Sequence, residues 1–256
     1  MDSDEGKGFG KWLAEHPFVV ILGLVGSCIA IFTFITGINN LTELSKFFSE
    51  NVPPLPKISF PTQQPEPEFL TVSLKPFSEL SEPETNLGLK PGVTYLLDIP
   101  FDIGWKASTQ CSHLPNQPKS YQVDVNIENP TDVYFLIQAG WGLTQYNGID
   151  IGKLRLGFSD GNALDTTLTL GDNIRDWAWK SSAVVRTVSS SQSRPAWTGQ
   201  SPNGTPGGMD ILTITVPNEQ RSKNLSYIQV IDVSNLTAVN IDPCIHVVAL
   251  TVKHLR

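Results

Sequence analysis

Beyond Leu70 the chain alternates apolar and polar residues in short runs. In "YQVDVNI" (121–127), Tyr121, Val123, Val125 and Ile127 share one face, the period-2 signature of a half-buried strand. "VYFLIQA" (133–139) is apolar on both faces, as a central strand is. "KLRLGF" sets Leu154, Leu156 and Phe158 together, and "LDTTLTL" does the same with Leu164, Thr166, Leu168 and Leu170. Between these two lies "SDGN" (159–162), where Asp-Gly predicts a tight hairpin because Gly tolerates positive φ. "ILTITV" (211–216), "YIQVIDV" (227–233) and "CIHVVALTV" (244–252) complete the strands. Short strands separated by turn signals predict an all-β fold, an antiparallel β-sandwich or jelly roll, over residues 70–256.

The pattern before Leu70 is different. Residues 1–16 form a polar tail, and "PFVVILGLVGSCIAIFTFITGI" (17–38) contains no charged residue. About 20 apolar residues at about 1.5 Å each cross a hydrocarbon core of about 30 Å, so this stretch is read as a single transmembrane helix. Its flanks lack the basic start and small-residue cleavage site of a signal peptide. Lys7 and Lys11 before the span balance Lys46 and Lys57 after it, so the positive-inside rule leaves orientation open. A β-domain outside the cytoplasm is the working expectation. Gly23 with Ser27, and Gly26 with Ala30, are small residues four apart and would allow helix–helix self-association. Leu41, Leu44, Phe47 and Phe48 predict a juxtamembrane amphipathic helix over 39–50. Residues 51–69 carry six prolines and read as a semi-rigid linker.

Composition narrows the function classes. A net charge of −7 with only 17% charged residues argues against a general nucleic-acid binder, which needs a basic face. Three cysteines are too few for a disulfide-dense scaffold.

Several segments together resemble bacterial jelly-roll domains of the galactose-binding-like type. They run from "YLLDIPFDI" through "VYFLIQAGW", "IGKLRLGFSDG", "LTLGDNIRDW" and "AWTGQSPNG" to "IDPCIHVVALTV", over about 160 residues. The resemblance implies the sandwich fold and an accessory role beside glycoside-acting or cell-surface proteins. It transfers no binding residues.

Sugar-binding sandwiches use aromatic rings as platforms for a pyranose C–H face. Trp105, Trp141, Tyr146, Trp177, Trp179 and Trp197 all fall in predicted loops or strand ends. The expected groove uses Trp141, Tyr146, Trp105 and Trp179, built from "AGWGLTQYNG" (139–148) and a long loop from Ser189 to Met209. Any one of these tryptophans can instead plug the core. Cys111 and Cys244 are the only cysteines of the β-domain and are candidates for a disulfide. The "CSH" and "CIH" triplets invite a Cys₂His₂ site, but their spacing is no usual zinc pattern and no metal is expected. No cofactor is expected either; loop Asp and Asn leave structural calcium possible, without an EF-hand-type loop.

Catalysis has little support. No G-x-S-x-G, H-E-x-x-H or phosphate-binding loop occurs. A carboxylate pair for glycoside hydrolysis would have to come from Asp150, Asp160, Asp165, Asp172 and Asp176, most of which sit in turns. "GDNIRDW" (171–177) reads as a corner plug, with one helical turn aiming Ile174 and Trp177 at the core, and Arg175 and Asp176 facing outwards or bracing adjacent loops.

The expectation is therefore a membrane-anchored, non-enzymatic recognition module for carbohydrate or a cell-surface polymer. The alternatives are an oligomerising membrane component whose β-domain binds a protein partner or senses a signal, and a glycan-acting enzyme.

Overall fold

The computed structural model describes residues 66–77, 87–179, 181–234 and 242–256. The predicted polar tail, transmembrane helix, juxtamembrane helix and most of the linker lie outside the described residues. Among the described residues, no helix is long and apolar enough to cross a membrane.

The described chain is an antiparallel β-sandwich. One sheet runs β1 (Pro67–Val72), β12 (Cys244–Leu255), β6 (Pro130–Gly140), β10 (Pro206–Thr215), β9 (Ser193–Gln200). The short β4 (Ala107–Ser108) shares an edge of β12 with β1, pairing at His246 and Val247 where β1 has run out. The second sheet runs β5 (Ser120–Ile127), β11 (Leu225–Asp232), β7 (Asp150–Phe158), β8 (Ala163–Thr169). β2 (Gly92–Leu96) and β3 (Ile99–Ile103) form a separate hairpin.

Burial explains the pattern read from the chain. Val133, Phe135, Ile137 and Ala139 of β6 meet Leu154, Leu156 and Leu168 in the core between the sheets. Tyr134 and Leu136, on the opposite face of β6, join Leu96, Ile99, Phe101 and Ile103 of the hairpin in a second core. The central strands of the first sheet are thus covered on both faces, which is why β6 and β12 read as continuous apolar runs. The second sheet has one covered face, which is why β5 alternates. At the β7–β8 hairpin Gly161 has φ +85°, and the Asp160 carboxylate accepts the Asn162 N–H at 3.0 Å.

Three expectations shift. The first strand begins at Pro67, so the linker predicted to end at 69 gives up its last residues to β1. Residues 189–209 are not one long loop: β9 occupies Ser193–Gln200 and pairs with β10. Pro195 is tolerated there because β9 is an edge strand. "GDNIRDW" also forms no helical turn. Its residues are a turn followed by extended chain that inserts between the ends of β6 and β10. Ala139 N–H donates to Arg175 O at 2.8 Å, Trp177 N–H to Ala139 O at 2.9 Å, and Gly208 N–H to Trp177 O at 3.0 Å. Ile174 consequently enters the inter-sheet core, while Trp177 packs against the second core on the other side.

Candidate functional site

The inserted segment organises one end of the sandwich. Arg175 is buried, and its Nε and Nη2 form a bidentate pair with Asp210 at 2.7 and 2.6 Å. Its Nη1 donates to the carbonyl of Arg186 at 2.7 Å, and its guanidinium lies 5.0 Å from the Trp179 ring centre. Asp176, 2% exposed, accepts the Gly142 N–H at 2.6 Å and the Ala178 N–H at 2.8 Å. Burial pushes its carboxyl up to about 6, against the lowering effect of those two N–H donors. Two neighbouring segments, 142–148 and 182–187, are therefore both held by residues 171–177.

Those two segments also bind each other. Thr144 N–H donates to Ala183 O at 2.7 Å, and Val185 N–H to Gly142 O at 2.8 Å. Gly171, with φ +82°, closes the floor: a Cβ there would lie 1.9 Å from Asn147 Oδ1. Between the segments opens a cleft of about 430 Å³, lined by Thr144, Asn147, Ser182, Val184, Val185, Arg186 and Thr187. The residues around it carry three hydroxyls, an amide and a guanidinium, with Val184 half-buried and Val185 buried in the inter-sheet core. Arg186 is held at Nε by Ser181 O at 3.2 Å, which orients its terminal nitrogens. Such a set suits a ligand with many hydroxyls and a small apolar face.

The aromatic candidates fall elsewhere. Tyr146 is 3% exposed and belongs to the inter-sheet core, so its ring offers no platform. Trp141 is 39% exposed, with one face already stacked on His113 at 4.0 Å and 16°. Its φ of +59° is a conformation that bulky residues rarely adopt. Trp105 is half-buried against the core under the Lys75 ammonium. Trp179 is half-buried, its ring over Arg175 and its indole N–H without a partner. Trp177 and Trp197 pack on the second core. Of the four residues expected to build a groove, Tyr146 is in the core, and none of Trp141, Tyr146, Trp105 and Trp179 lines the cleft between 142–148 and 182–187. The cleft instead takes Thr144 and Asn147 from within 139–148, and Ser182, Arg186 and Thr187 from a stretch the sequence reading did not single out. The only local signal there is one arginine in a run of small polar and valine residues, "SSAVVRTVSS".

Of the five aspartates expected mostly in turns, only Asp160 and Asp172 lie in one; Asp150 opens β7, Asp165 lies within β8, and all are engaged structurally. Asp165 pairs with Arg155 and Lys153, which hold its carboxyl down at about 2. Asp150 accepts the Thr169 hydroxyl at 2.6 Å, and Asp172 that of Ser189 at 2.8 Å. Cys111 and Cys244 are brought together, both as buried free thiols hydrogen-bonded to each other. His246 bonds to Ser108 at 2.9 Å, whereas His113 stacks on Trp141. Among the described residues, no three His, Cys, Asp or Glu side chains gather as a metal ion requires. No protein family, curated protein or solved structure matches the chain.

Proposed function

We propose that the chain is a membrane-anchored, non-enzymatic recognition module whose β-sandwich binds carbohydrate or a related cell-surface polymer in the 142–148/182–187 cleft. The galactose-binding-like resemblance fits this reading. The observation that carries it is the cleft itself, whose lining residues include three with hydroxyls, an amide and a guanidinium beside the half-buried Val184. A sugar offers the complementary surface: hydroxyls around its ring edge and C–H groups on its faces. The charge-free stretch 17–38 supports anchoring, and the proline-rich 51–66 supports display of the sandwich away from the bilayer.

The test is binding of the full chain, in detergent micelles, to a panel of polysaccharides and to a glycan array. Specific binding that Arg186→Ala weakens at least tenfold, with unchanged thermal stability, is the expected result; that loss corresponds to about 1.4 kcal/mol. Binding that ignores Arg186→Ala and Asn147→Ala would move the site off this cleft.

A second reading, a membrane component whose sandwich meets a protein partner, has one observation in its favour. Val93, Tyr95 and Leu97 stand 62%, 70% and 47% exposed along one side of the β2–β3 hairpin. No glycan binding together with a defined detergent-solubilised oligomer would favour it.

A further inference from the structure

At another part of the first sheet, where β4 meets β12, lies a cluster that the cleft does not use. The pairing of Ser108 with His246 continues through Thr109, whose N–H donates to Ile245 O at 3.0 Å and whose hydroxyl accepts the Ile245 N–H at 2.9 Å. Beyond Thr109 the chain turns back on itself, Leu114 N–H donating to Cys111 O at 3.0 Å and Gln110 N–H to Pro118 O at 3.0 Å. The turn delivers Cys111 to Cys244 at the start of β12, and the two thiols hydrogen-bond. The space is made by Gly140 on the neighbouring β6: a Cβ there would lie 3.0 Å from Cys244 Sγ and 2.7 Å from His246 Nε2.

The two sulfurs are not equivalent. The hydrogen bond from Cys244, against the opposing effect of burial and with help from the nearby His113 and Leu114 N–H groups, lowers Cys111 to about 7. Cys244 lies deeper, 1% exposed, and its hydrogen bond to Cys111 together with burial holds it well above the ordinary thiol range. A thiolate is the attacking species in disulfide exchange, and Cys111 lies on the turn while Cys244 lies within β12, so a donor meets Cys111 first and Cys244 resolves.

We propose that Cys111 and Cys244 form a disulfide-exchange site that closes on reaction with a protein or small-molecule disulfide, fastening the 109–118 turn to β12. The Cys111 thiolate attacks one sulfur of the donor disulfide, forming a mixed disulfide and releasing one donor thiolate. Cys244 then gives up its proton and attacks the Cys111 sulfur, forming the internal bond and releasing the second donor thiolate. Two protein thiols and one donor disulfide become one protein disulfide and two donor thiols, with two electrons passing to the donor. Cys111 is 4% exposed, so the donor reaches it when the 109–118 turn lifts or before the turn has packed. The closed bond also steadies the exposed Trp141, because the ring stacked on it, His113, belongs to that turn.

The experiment uses the full chain in detergent, held in oxidised glutathione or in dithiothreitol, alkylated and then digested with trypsin. The expected oxidised product is a reducible cross-link between peptides 107–119 and 224–253, with Cys28 alkylated under both conditions. Oxidation should raise the unfolding temperature by roughly 5–15 °C, because the bond closes a long loop. Cys244→Ser should accumulate glutathione on Cys111, while Cys111→Ser should leave Cys244 free. Alkylation of both cysteines after oxidation, or a cross-link to Cys28, overturns the proposal. The reverse pattern in the single variants overturns the order of attack. An unchanged unfolding temperature overturns the fastening. If neither variant folds, the peptide map of the unaltered chain still decides whether the bond forms.

Discussion

Asp176 is the residue on which local chemistry and fold stability meet most directly. Two backbone N–H groups stabilise its charged form, and burial opposes that form more strongly, leaving the carboxyl at about 6. A carboxyl whose folded pKa lies above its unfolded value of about 4 is favoured by folding in its protonated state. Its stabilising contribution is complete below pH 4 and disappears as the pH rises through about 6. The size of that loss is on the order of 3 kcal/mol. Asp165 works in the opposite sense at lower pH: its contribution is present above pH 4 and is lost as the pH falls towards 2. Its pairs with Arg155 and Lys153 lie at the surface, where solvent screening makes them worth little. A wild-type stability curve therefore mixes both slopes, and the difference from Asp176→Asn isolates one. Relative to wild type, Asp176→Asn should gain stability between pH 4 and 6 and change no further up to pH 8. Urea midpoints measured at half-unit pH intervals check this; a flat difference would mean that Asp176 is not the titrating group.

At the scale of elements, the 171–177 segment behaves as a strut between the ends of β6 and β10. Its fixed point is the Arg175–Asp210 pair, with both side chains under 10% exposed. Breaking such a pair from one side strands a charge without water, at a cost of about 3–5 kcal/mol. Asp210→Ala should therefore lower the urea midpoint sharply. The Arg175→Met/Asp210→Leu double substitution should recover much of that loss, because neither charge then remains buried. The double variant still lacks the donor to Arg186 O, so it should stay folded while its cleft loosens. Faster hydrogen exchange at residues 182–187, with exchange of β7 and β8 unchanged, is the signature to measure. This strut also marks where the sequence stops being informative. "NIRDW" shows which residue types are available, but the partners of Arg175 and Asp176 lie at Asp210, Arg186 and Gly142, and local periodicity carries no record of such pairings. Strands were legible where alternation or a continuous apolar run is unbroken, as in 121–127 and 133–139. β9 was not, since Pro195 and Gly199 break the pattern and it is held by one neighbour only. The β2–β3 hairpin hid for another reason: its turn places Leu97 and Asp98 at φ +50° and +65°, without the glycine or asparagine that announces such turns.

Over the whole described domain, the decisive feature is that the central strands of one sheet, β6, β10 and most of β12, are covered on both faces. The second sheet covers one side through Leu154, Leu156 and Ile228, and the β2–β3 hairpin covers the other through Leu96, Ile99 and Phe101. A strand with covered faces and two hydrogen-bonded neighbours can open only when its neighbours do, so its amides report global unfolding. β6 and β12 meet both conditions; the hairpin, bound mainly through side chains, does not. Hydrogen exchange should accordingly be slowest in 133–139 and 245–252, faster in 92–103, and fastest at the 159–162 turn. Phe101 is fully buried in the second core, so Phe101→Ala should cost about 3–5 kcal/mol. If the three layers unfold together, that cost appears undiminished as faster exchange in β6 and β12. If the hairpin detaches first, exchange rises in 92–103 alone, and the strands beneath keep their protection. The cooperative outcome follows from Val248 and Ala249 of β12, which sit in the same core as Phe101 and lose their cover when it empties.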